Sequence, residues 1–409
     1  MHRSKKEEIV VKVRKKVLDK ISYMEDVSDD ELEIMIAGYL SEASRDNYLP
    51  LRERIEMGKE IFQSMRKLDI LQNLIDDAEI TEIMINGPKV IFVEKEGRLI
   101  RLNNEFESEE KLKNIIQQIV AKCNRVVNDA SPIVDARLEN GSRVNVVLNP
   151  VAINGPILTI RRFPEMPFTM EKLVHIGALS VEVAEFLKKV VIAGYNIVIS
   201  GGTGSGKTTF LNALSGYIPK DERIITIEDS AELQIQGVEN LVRLETKNAN
   251  TETSKEITIR DLIKASLRMR PNRVIVGEVR GVEAMDMVCS AMNCGHDGSM
   301  STIHANSAKD GLLRLETMIL MATPLPISAI RRQISSGVDI IIHLGRLRDQ
   351  SRRVLQIIEM DGMIGDEIQV HELFCFQEEG ENERGKIIGR LQKRGELIHD
   401  YKMLAAGQS

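Results

Sequence analysis

The feature that most constrains the fold of this chain is a glycine-rich turn set between an apolar run and a helix-forming run. It reads Ile197-Val-Ile-Ser-Gly-Gly-Thr-Gly-Ser-Gly-Lys-Thr-Thr-Phe-Leu-Asn212. The β-branched residues before the glycines favour a buried strand, and the residues after them favour a helix. The spacing Gly201-x-x-x-x-Gly206-Lys207-Thr208 is that of a phosphate-binding loop, and both flanks that the pattern requires are present.

Each residue type in this loop suits the binding of a nucleoside triphosphate. Glycine lets the backbone turn its N–H groups inward, in conformations that a Cβ would forbid. The helix that follows directs its positive end at the same anion, Lys207 adds a point charge, and the Thr208 hydroxyl is placed to ligate Mg²⁺. A glycine turn without a ligand is the alternative. The predicted nucleotide-binding residues are Gly202, Thr203, Gly204, Ser205, Gly206, Lys207, Thr208 and Thr209.

Length and composition bound the class of protein. The 409 residues predict two or three domains. Acidic residues number 61 against 55 basic ones, and the net charge of −6 argues against broad binding to nucleic acid. There is no apolar run of about 18 residues and no signal-peptide pattern, so we expect a cytoplasmic protein. The cysteines are scattered and predict neither a zinc site nor a disulfide framework: Cys123, Cys289, Cys294 and Cys375.

Two segments precede the phosphate loop. Residues 1–75 carry apolar residues at helical spacing and predict helices, either a docking arm for a partner or a helical cap on the next domain. Residues 76–163 change to an alternation of period two and predict a smaller α+β domain. That domain ends in four arginines, which are either a solvated sheet edge or a guanidinium set that reaches a γ-phosphate: Arg137, Arg143, Arg161 and Arg162.

The geometry of these arginines depends on one turn. Asn140-Gly141 is a strong hairpin signal between alternating strands. A two-residue loop there would place Arg137 and Arg143 on opposite faces of the sheet, whereas a three-residue loop would place them on the same face.

An interdomain linker is predicted at 164–170, because two prolines within four residues suppress both helix and sheet. Residues 171–409 then alternate strand and helix. Two capping boxes, Thr258-x-x-Asp261 and Ser307-x-x-Asp310, mark later helices. Two buried-type strands run into Glu228-Asp229 and into Glu278, and such carboxylates share the sheet edge at which parallel strands end and ligands bind.

These acids suggest roles in hydrolysis. Glu278 stands where a phosphate-loop protein holds the acid that organises Mg²⁺, and its length suggests contact through water. Glu228 is the candidate to take a proton from water, and Asp229 to hold the loop or ligate a metal-bound water; loop capping is the alternative for both. His296 and His304 could position the γ-phosphate, His304 from a strand end, while His296 could be an ordinary loop residue.

The end of the chain carries weaker signals. Arg352 to Glu359 and Glu367 to Phe376 predict a terminal antiparallel pair of strands. Beyond Glu378 the chain is charged and punctuated by glycine, and we expect a polar tail that forms an exposed hairpin or is partly disordered.

Taken together, these residues resemble a known family, the type II/type IV secretion ATPase superfamily, and within it the CpaF-like branch that serves Tad/Flp pili. The resemblance covers roughly residues 78 to 376. It rests on Asp135-Ala-Arg-Leu-x-x-Gly-Ser-Arg-Val-Asn145, Ser200 to Thr209, Ile227-Glu-Asp-x-Ala-Glu-Leu233, Leu267-Arg-Met-Arg-Pro271, Val276-Gly-Glu-Val-Arg-Gly281, Gly295-His-Asp-Gly-Ser-Met300 and His304-Ala-Asn306.

The resemblance implies an α/β fold with a RecA-like motor behind a PAS-like α+β domain. It implies an ATPase that uses ATP and Mg²⁺, forms a homo-hexamer, and works with an inner-membrane platform protein at the inner face of the cell membrane. In the family pattern Glu228 is the general base, Glu278 acts through Mg²⁺ and His304 senses the γ-phosphate. Arginines of the N-terminal domain complete the site across a subunit or domain boundary.

Several alternatives remain open at this point. A motor for type IV secretion of the conjugation type, or for type II secretion, shares the same motifs. A nucleic-acid translocase shares the fold but would want a basic channel or stacking aromatics, and this chain has 4% aromatic residues and no tryptophan. A nucleotide-binding scaffold without hydrolysis is a third. The chain has no Asn-Lys-x-Asp motif that would indicate GTP.

Overall fold

The computed structural model describes residues 2–21, 27–46, 49–66, 68, 70–95, 97–123, 125–138, 140–162, 167–247, 256–383 and 385–408. The chain divides into two compact units, Met1–Pro164 and Glu165–Ser409, which are considered separately below. Of the predicted linker, residues 164–166 lie outside the described part of the chain.

The first unit begins with helices and continues with an antiparallel sheet. The helices are α1 (His2–Ile21), α2 (Asp29–Asp46), α3 (Leu51–Arg66), α4 (Ile70–Asp76) and α5 (Glu109–Lys122). The strands are β1 (Ile80–Asn86), β2 (Ile91–Lys95), β3 (Arg98–Arg101), β4 (Ile133–Arg137), β5 (Arg143–Val147) and β6 (Ile157–Arg161), in the order β3-β2-β1-β6-β5-β4. Helices α1 to α3 share one core that includes Val17 and Ile36. Helix α5 shares a second core with the sheet, through residues such as Ile116 and Ile83.

The strand register brings three of the four predicted arginines into one row. Arg143 lies directly opposite Arg137 on β4 and opposite Arg161 on β6. Residues opposite each other on antiparallel strands project from the same face, so the three guanidinium groups share a face. Arg162 follows Arg161 and falls on the other face, where its guanidinium donates to the carbonyl oxygen of Asp77. The predicted set of four is therefore a row of three.

The turn between β4 and β5 explains this register. It spans Leu138–Ser142, closed by a 2.9 Å hydrogen bond from the Leu138 N–H to the Ser142 carbonyl. The Ser142 N–H donates to the Asn140 side-chain oxygen at 3.0 Å. This hydrogen bond excludes the two-residue loop at Asn140-Gly141 that was one of the two predicted alternatives. A connection with an odd number of residues keeps Arg137 and Arg143 on one face, as the three-residue alternative would have done.

The second unit is a nine-stranded sheet with helices on both faces. Its strands are β7 (Ile197–Gly201), β8 (Ile224–Glu228), β9 (Leu241–Glu245), β10 (Arg273–Val276), β11 (Met300–His304), β12 (Ile340–Arg346), β13 (Arg352–Ile364), β14 (Glu367–Glu381) and β15 (Ile387–Lys393). Its helices are α6 (Met170–His175), α7 (Val181–Ile192), α8 (Lys207–Ser215), α9 (Ile259–Ser266), α10 (Glu283–Met285) with a π-helix at Asp286–Met292, α11 (Ala308–Ala322), α12 (Ile327–Gly337) and α13 (Tyr401–Ala405).

The strand order is β15-β14-β13-β12-β7-β11-β10-β8-β9. Strands β12, β7, β11, β10, β8 and β9 are parallel, and β13 to β15 extend the sheet in antiparallel fashion. Ile197 and Ile199 pack into the core on the side of α7 and α8, whereas Val198 packs into the core on the side of α11 and α12. Burial on both faces is why the strands of this unit read as continuous apolar runs.

The C-terminal segment packs onto the second unit, so the expectation of a partly disordered tail is wrong. Strand β15 forms the expected hairpin with β14, and Met403 of α13 is buried. The Lys402 ammonium lies 2.8 Å from carboxylate oxygens of both Asp297 and Asp339. The Tyr195 hydroxyl donates to the carbonyl of His399 at 2.7 Å. These partners are distant in sequence, and no local pattern in a polar tail indicates them.

Candidate functional site

The phosphate loop joins the end of β7 to the start of α8. Gly204 and Gly206 have φ angles of 70° and 93°, in the left-handed region that favours glycine. Gly206 stands at the N-cap of α8 and has no side chain to bond the first N–H groups of the helix. Those donors remain directed along the helix axis, which is the arrangement that binds an anion.

Lys207 is held inside the loop. Its side chain is 8% exposed, and its ammonium donates to the carbonyl oxygens of Gly201 at 3.1 Å and Gly202 at 3.0 Å. The same nitrogen lies 3.4 Å from Nδ1 of His304. Burial lowers the pKa of Lys207, while the charge of Glu278 acts in the opposite direction. The cation is therefore positioned before any phosphate arrives.

The predicted acids and histidine meet at the same edge of the sheet as this loop. In the parallel register His304 lies beside Gly201, and Val276 lies beside Ile227. Glu228 ends β8, and Glu278 follows β10 by two residues. The carboxyl ends of four parallel strands thus surround one loop, as expected of a ligand site in an open α/β sheet.

Glu278 is the centre of a small charged cluster. One carboxylate oxygen lies 2.9 Å from Nε2 of His304, and the other accepts a 2.8 Å hydrogen bond from Arg280. The Arg280 guanidinium also lies 3.5 Å from a carboxylate oxygen of Asp229. Burial lowers the pKa of His304, against the charge of Glu278, so a neutral imidazole is favoured. Sequence reasoning missed Arg280, although its position two residues after Glu278 was a usable signal.

The Glu228 side chain is buried and closely packed. It is 4% exposed, and one of its oxygens accepts hydrogen bonds from the N–H groups of Glu232 at 2.8 Å and Leu233 at 3.0 Å. Burial raises its pKa to about 7, and these backbone hydrogen bonds partly oppose the rise. A Cβ placed on Gly277 would come within 2.9 Å of Cγ of Glu228. A carboxylate with a pKa near neutrality suits proton transfer at physiological pH.

His296 requires a correction. It precedes β11 at the end where Met300 lies beside Ile197, which is the edge opposite to the phosphate loop. Its Nδ1 lies 3.1 Å from the carbonyl oxygen of Pro271. Within this unit His296 is therefore a loop residue and does not support the phosphate site.

A second cationic residue missed by sequence reasoning lies on the other flank of the loop. Arg352, the first residue of β13, donates from Nε to the carbonyl oxygen of Gly204 at 2.8 Å. Next to it is a cavity of about 80 Å³ whose lining includes Ser205, Thr209 and Phe210. No local pattern linked residue 352 to the loop, because antiparallel pairing of β13 with β12 brings it there.

The donor set suits a hard cation that also binds phosphate. Within the described residues, no three His, Cys, Asp or Glu side chains are grouped so as to hold a metal ion by themselves. Thr208, in the first turn of α8, and Glu278 offer oxygen atoms at the same edge. Mg²⁺ in nucleotide sites takes few protein ligands and completes its shell with phosphate oxygens and water, so these residues fit it.

Comparison with known proteins places the site in a family context. A family model described as type II/IV secretion system protein matches residues 64–392. A putative conjugal transfer protein of Mycobacterium tuberculosis is 33% identical over 294 residues, which cover 70% of this chain and 83% of that protein. The type IV secretion system protein PtlH of Bordetella pertussis is 33% identical over 323 residues, which cover 72% of this chain and 95% of that protein.

A solved structure is similar in fold. The pilus retraction motor PilT with bound ADP aligns with a TM-score of 0.52 at 20% identity, over 83% of this chain and 86% of that one. At this identity the similarity concerns the fold alone, and it confirms the predicted α/β class with an N-terminal domain before the motor. None of the helices in the described part of the chain combines the length and the apolar character that a membrane crossing requires.

The matched span of the family model contains the phosphate loop together with Glu228, Glu278 and His304. It covers well over half of the chain, and both relatives are matched over most of their own length. The chain therefore belongs to the type II/IV secretion system family of ATPases.

Proposed function

We propose that this protein hydrolyses ATP with Mg²⁺ and that the reaction drives a membrane-bound secretion or pilus-assembly machine. The observation that carries the proposal is the convergence of Lys207, Glu228, Glu278 and His304 on one phosphate loop. Such a site has the anion cradle, the cation and the acids that phosphoryl transfer to water requires.

Glu228 is the general base. It takes a proton from water as the water oxygen attacks the γ-phosphorus, and the bond from that phosphorus to the bridging oxygen of ADP breaks. With a pKa of about 7, a substantial fraction of Glu228 is ionised at neutral pH. The N–H groups of Glu232 and Leu233 hold the carboxylate in place, so its direction is set before substrate binds.

Lys207 and His304 act on the phosphate side. The Lys207 ammonium exchanges its two carbonyl partners for the β and γ phosphates. His304 faces Lys207 through Nδ1 and Glu278 through Nε2, so it senses the γ-phosphate through these two residues. Thr208 and, through water, Glu278 would hold Mg²⁺, which supplies charge neutralisation at the phosphates when it is bound. Arg280 contacts the carboxylates of both Glu278 and Asp229 and so fixes their positions relative to one another.

The family resemblance suggests a role for the arginine row of the first unit in an assembled ring. We propose a homo-hexamer in which Arg137, Arg143 and Arg161 are supplied to a nucleotide as one strip of positive charge. Support comes from their register, which gives them a common face. Planar guanidinium groups match phosphate oxygens in pairs, so a row of three suits a triphosphate. Arg162, on the other face, takes no part.

We propose two candidates for the machine that this motor serves. Motif resemblance favours Tad/Flp pilus assembly, with the protein in the cytoplasm at the inner face of the cell membrane and bound to a platform protein. The names of the relatives, conjugal transfer and type IV secretion, favour a secretion motor of that type as the second candidate. The net charge of −6 favours a protein cargo over nucleic acid. The membrane protein that co-purifies with the motor distinguishes the two candidates.

The enzymatic proposal is tested by phosphate release and by calorimetric titration with ADP. Lys207→Ala is expected to lose nucleotide binding. Glu228→Gln is expected to bind ADP normally and to lose at least about 100-fold in kcat, the usual size of a lost general base. Glu185→Gln, which changes an exposed acid on α7, serves as the matched control and should retain full activity.

Two results would contradict the proposal. If the folded wild-type protein has no affinity for ATP or ADP, the nucleotide site is refuted. If Glu228→Gln turns over at the wild-type rate, Glu228 is not the base and the scaffold interpretation gains support.

A further inference from the structure

The hairpin of β12 and β13 brings arginines to the phosphate loop from the flank away from the hydrolytic residues. Strand β7 has β11 on one side, where His304 lies beside Gly201, and β12 on the other, where Leu344 lies beside Gly201. Glu228 and Glu278 are on the β11 side, because β10 and β8 follow β11 in the sheet. If the γ-phosphate of a bound nucleotide meets these acids, as proposed above, the β12 side faces the part of the nucleotide that is remote from it.

Arg352 contacts the loop from this hairpin through its side chain. Its Nε donates to the Gly204 carbonyl at 2.8 Å, at a glycine whose φ of 70° is itself in the left-handed region. Arg346 lies directly opposite Arg352 in the antiparallel register, so the two side chains leave the same face of the sheet. The hairpin thus adds positive charge to a loop that binds a polyanion.

The connection between the two strands is firmly anchored. The Asp349 carboxylate accepts hydrogen bonds from the N–H groups of Ser351 and Ile387, both at 3.0 Å. The Arg348 guanidinium binds Glu378 and Glu381 at 2.6–2.7 Å. A residue that follows such a turn is presented on a rigid element, which is the arrangement that positions a ligand contact reproducibly.

The surface beside Arg352 carries a small, largely apolar cavity against which one face of a ribose or base can pack. The cavity of about 80 Å³ has Thr209 of the loop on one side and Phe168, Leu173 and Phe210 among its apolar lining residues. Apolar walls with a few convergent polar groups are typical of sites for small organic ligands. A base or ribose placed here would leave the phosphate chain free to run into the loop toward His304.

We propose that Arg352 is a positioning residue for the bound nucleotide. Its Nε fixes the tip of the phosphate loop through Gly204, and the remainder of its guanidinium contacts the ribose and α-phosphate side of ATP or ADP. This inference rests on the proposed ATPase function. It assigns Arg352 to nucleotide affinity and leaves the chemical step to Glu228, Glu278 and His304.

The test is calorimetric titration of the full-length protein with ADP, together with steady-state ATP hydrolysis. Arg352→Gln is expected to raise the Kd for ADP and the KM for ATP by about tenfold each, the usual size of a lost hydrogen bond from a charged group. The value of kcat is expected to stay within about twofold, because the hydrolytic residues lie on the other flank. Arg352→Lys keeps the charge and loses the planar guanidinium, so its Kd for ADP and KM for ATP should lie between those of the wild type and Arg352→Gln.

The matched control is Arg390→Gln, which removes an exposed guanidinium from β15, the strand at the end of the sheet, where it binds Glu379. It should leave both constants unchanged. The inference is overturned if Arg352→Gln binds ADP as the wild type does, or if it loses kcat with an unchanged Kd. It is also overturned if Arg390→Gln weakens ADP binding equally. Failure of the ATPase proposal is distinguishable, since the wild type itself would then bind no ADP. Thermal melting without nucleotide verifies that each variant is folded.

Discussion

Replacing Glu228 by glutamine should stabilise this protein at alkaline pH, although it removes the base on which turnover depends. The reason is burial: Glu228 is 4% exposed, and its pKa is raised from an ordinary 4.5 to about 7. The folded protein therefore binds the Glu228 proton more tightly than the unfolded chain does. The stability from this group is fully present below pH 4.5 and is lost as the pH rises to about 7, after which it changes no further.

The expected magnitude follows from the same two values. A rise from 4.5 to about 7 corresponds to about 3 kcal/mol at full ionisation, of which about 2.5 kcal/mol is lost between pH 5 and pH 8. Glutamine carries no charge at any of these pH values. Its single amide oxygen can still accept from the N–H groups of Glu232 and Leu233, which share one oxygen of Glu228.

The measurement is the free energy of unfolding of wild type and Glu228→Gln by urea, at intervals between pH 5 and pH 8. The difference between the two proteins should shift by about 2.5 kcal/mol in favour of the variant as the pH rises. Glu185→Gln, on an exposed carboxylate, should show no such shift. Parallel pH profiles for wild type and Glu228→Gln would mean that Glu228 is not destabilised by burial, and the argument for a base poised near neutral pH would fail.

Two further predictions concern residues that hold the site and its sheet. Gly277→Ala places a methyl group 2.9 Å from Cγ of Glu228. Because displacement of a catalytic group by about 1 Å costs on the order of 100-fold in rate, kcat should fall by that factor while the Kd for ADP stays unchanged. Unchanged phosphate release would contradict this prediction. Glu222→Ala leaves the Arg273 guanidinium, 2% exposed and bound to Glu222 at 2.5 and 2.7 Å, without its counter-ion. It should cost about 3 kcal/mol in urea unfolding, and a loss below about 1 kcal/mol would show that the pair is solvated.

Local features of the site were predictable because their determinants are adjacent in sequence. The phosphate loop needs only a strand, glycines and a helix in succession, and the structure has all three between Ile197 and Ser215. The capping box of Thr258 and Asp261 is likewise confirmed by reciprocal hydrogen bonds three residues apart. At Ser307 the hydroxyl accepts from the Asp310 N–H, so the predicted helix start is confirmed but only half of the second box. The positions of Glu228 and Glu278 followed from the rule that parallel strands end at a common edge.

The features that sequence reasoning missed depend on contacts between distant residues. His296 was a candidate for the site together with His304, with an ordinary loop residue as the alternative; strand β11 separates the two histidines and places them at opposite edges of the sheet. Arg352 reaches Gly204 only through the antiparallel return of β13. The C-terminal tail was expected to be an exposed hairpin or partly disordered; the hairpin forms, but the pairing of Lys402 with Asp297 and Asp339 was not predicted.

The amino-acid sequence by itself determined the phosphate-loop backbone and the strand ends at which its acids stand. The first follows from short-range backbone geometry, and the second from parallel strands that are buried on both faces. The tertiary structure alone decided which side chains share a face and which carbonyls and carboxylates they contact. The arginine row shows why: one residue more or less between Arg137 and Arg143 reverses the face of a strand, and only the packed sheet selects the register that keeps Val144 and Val146 buried.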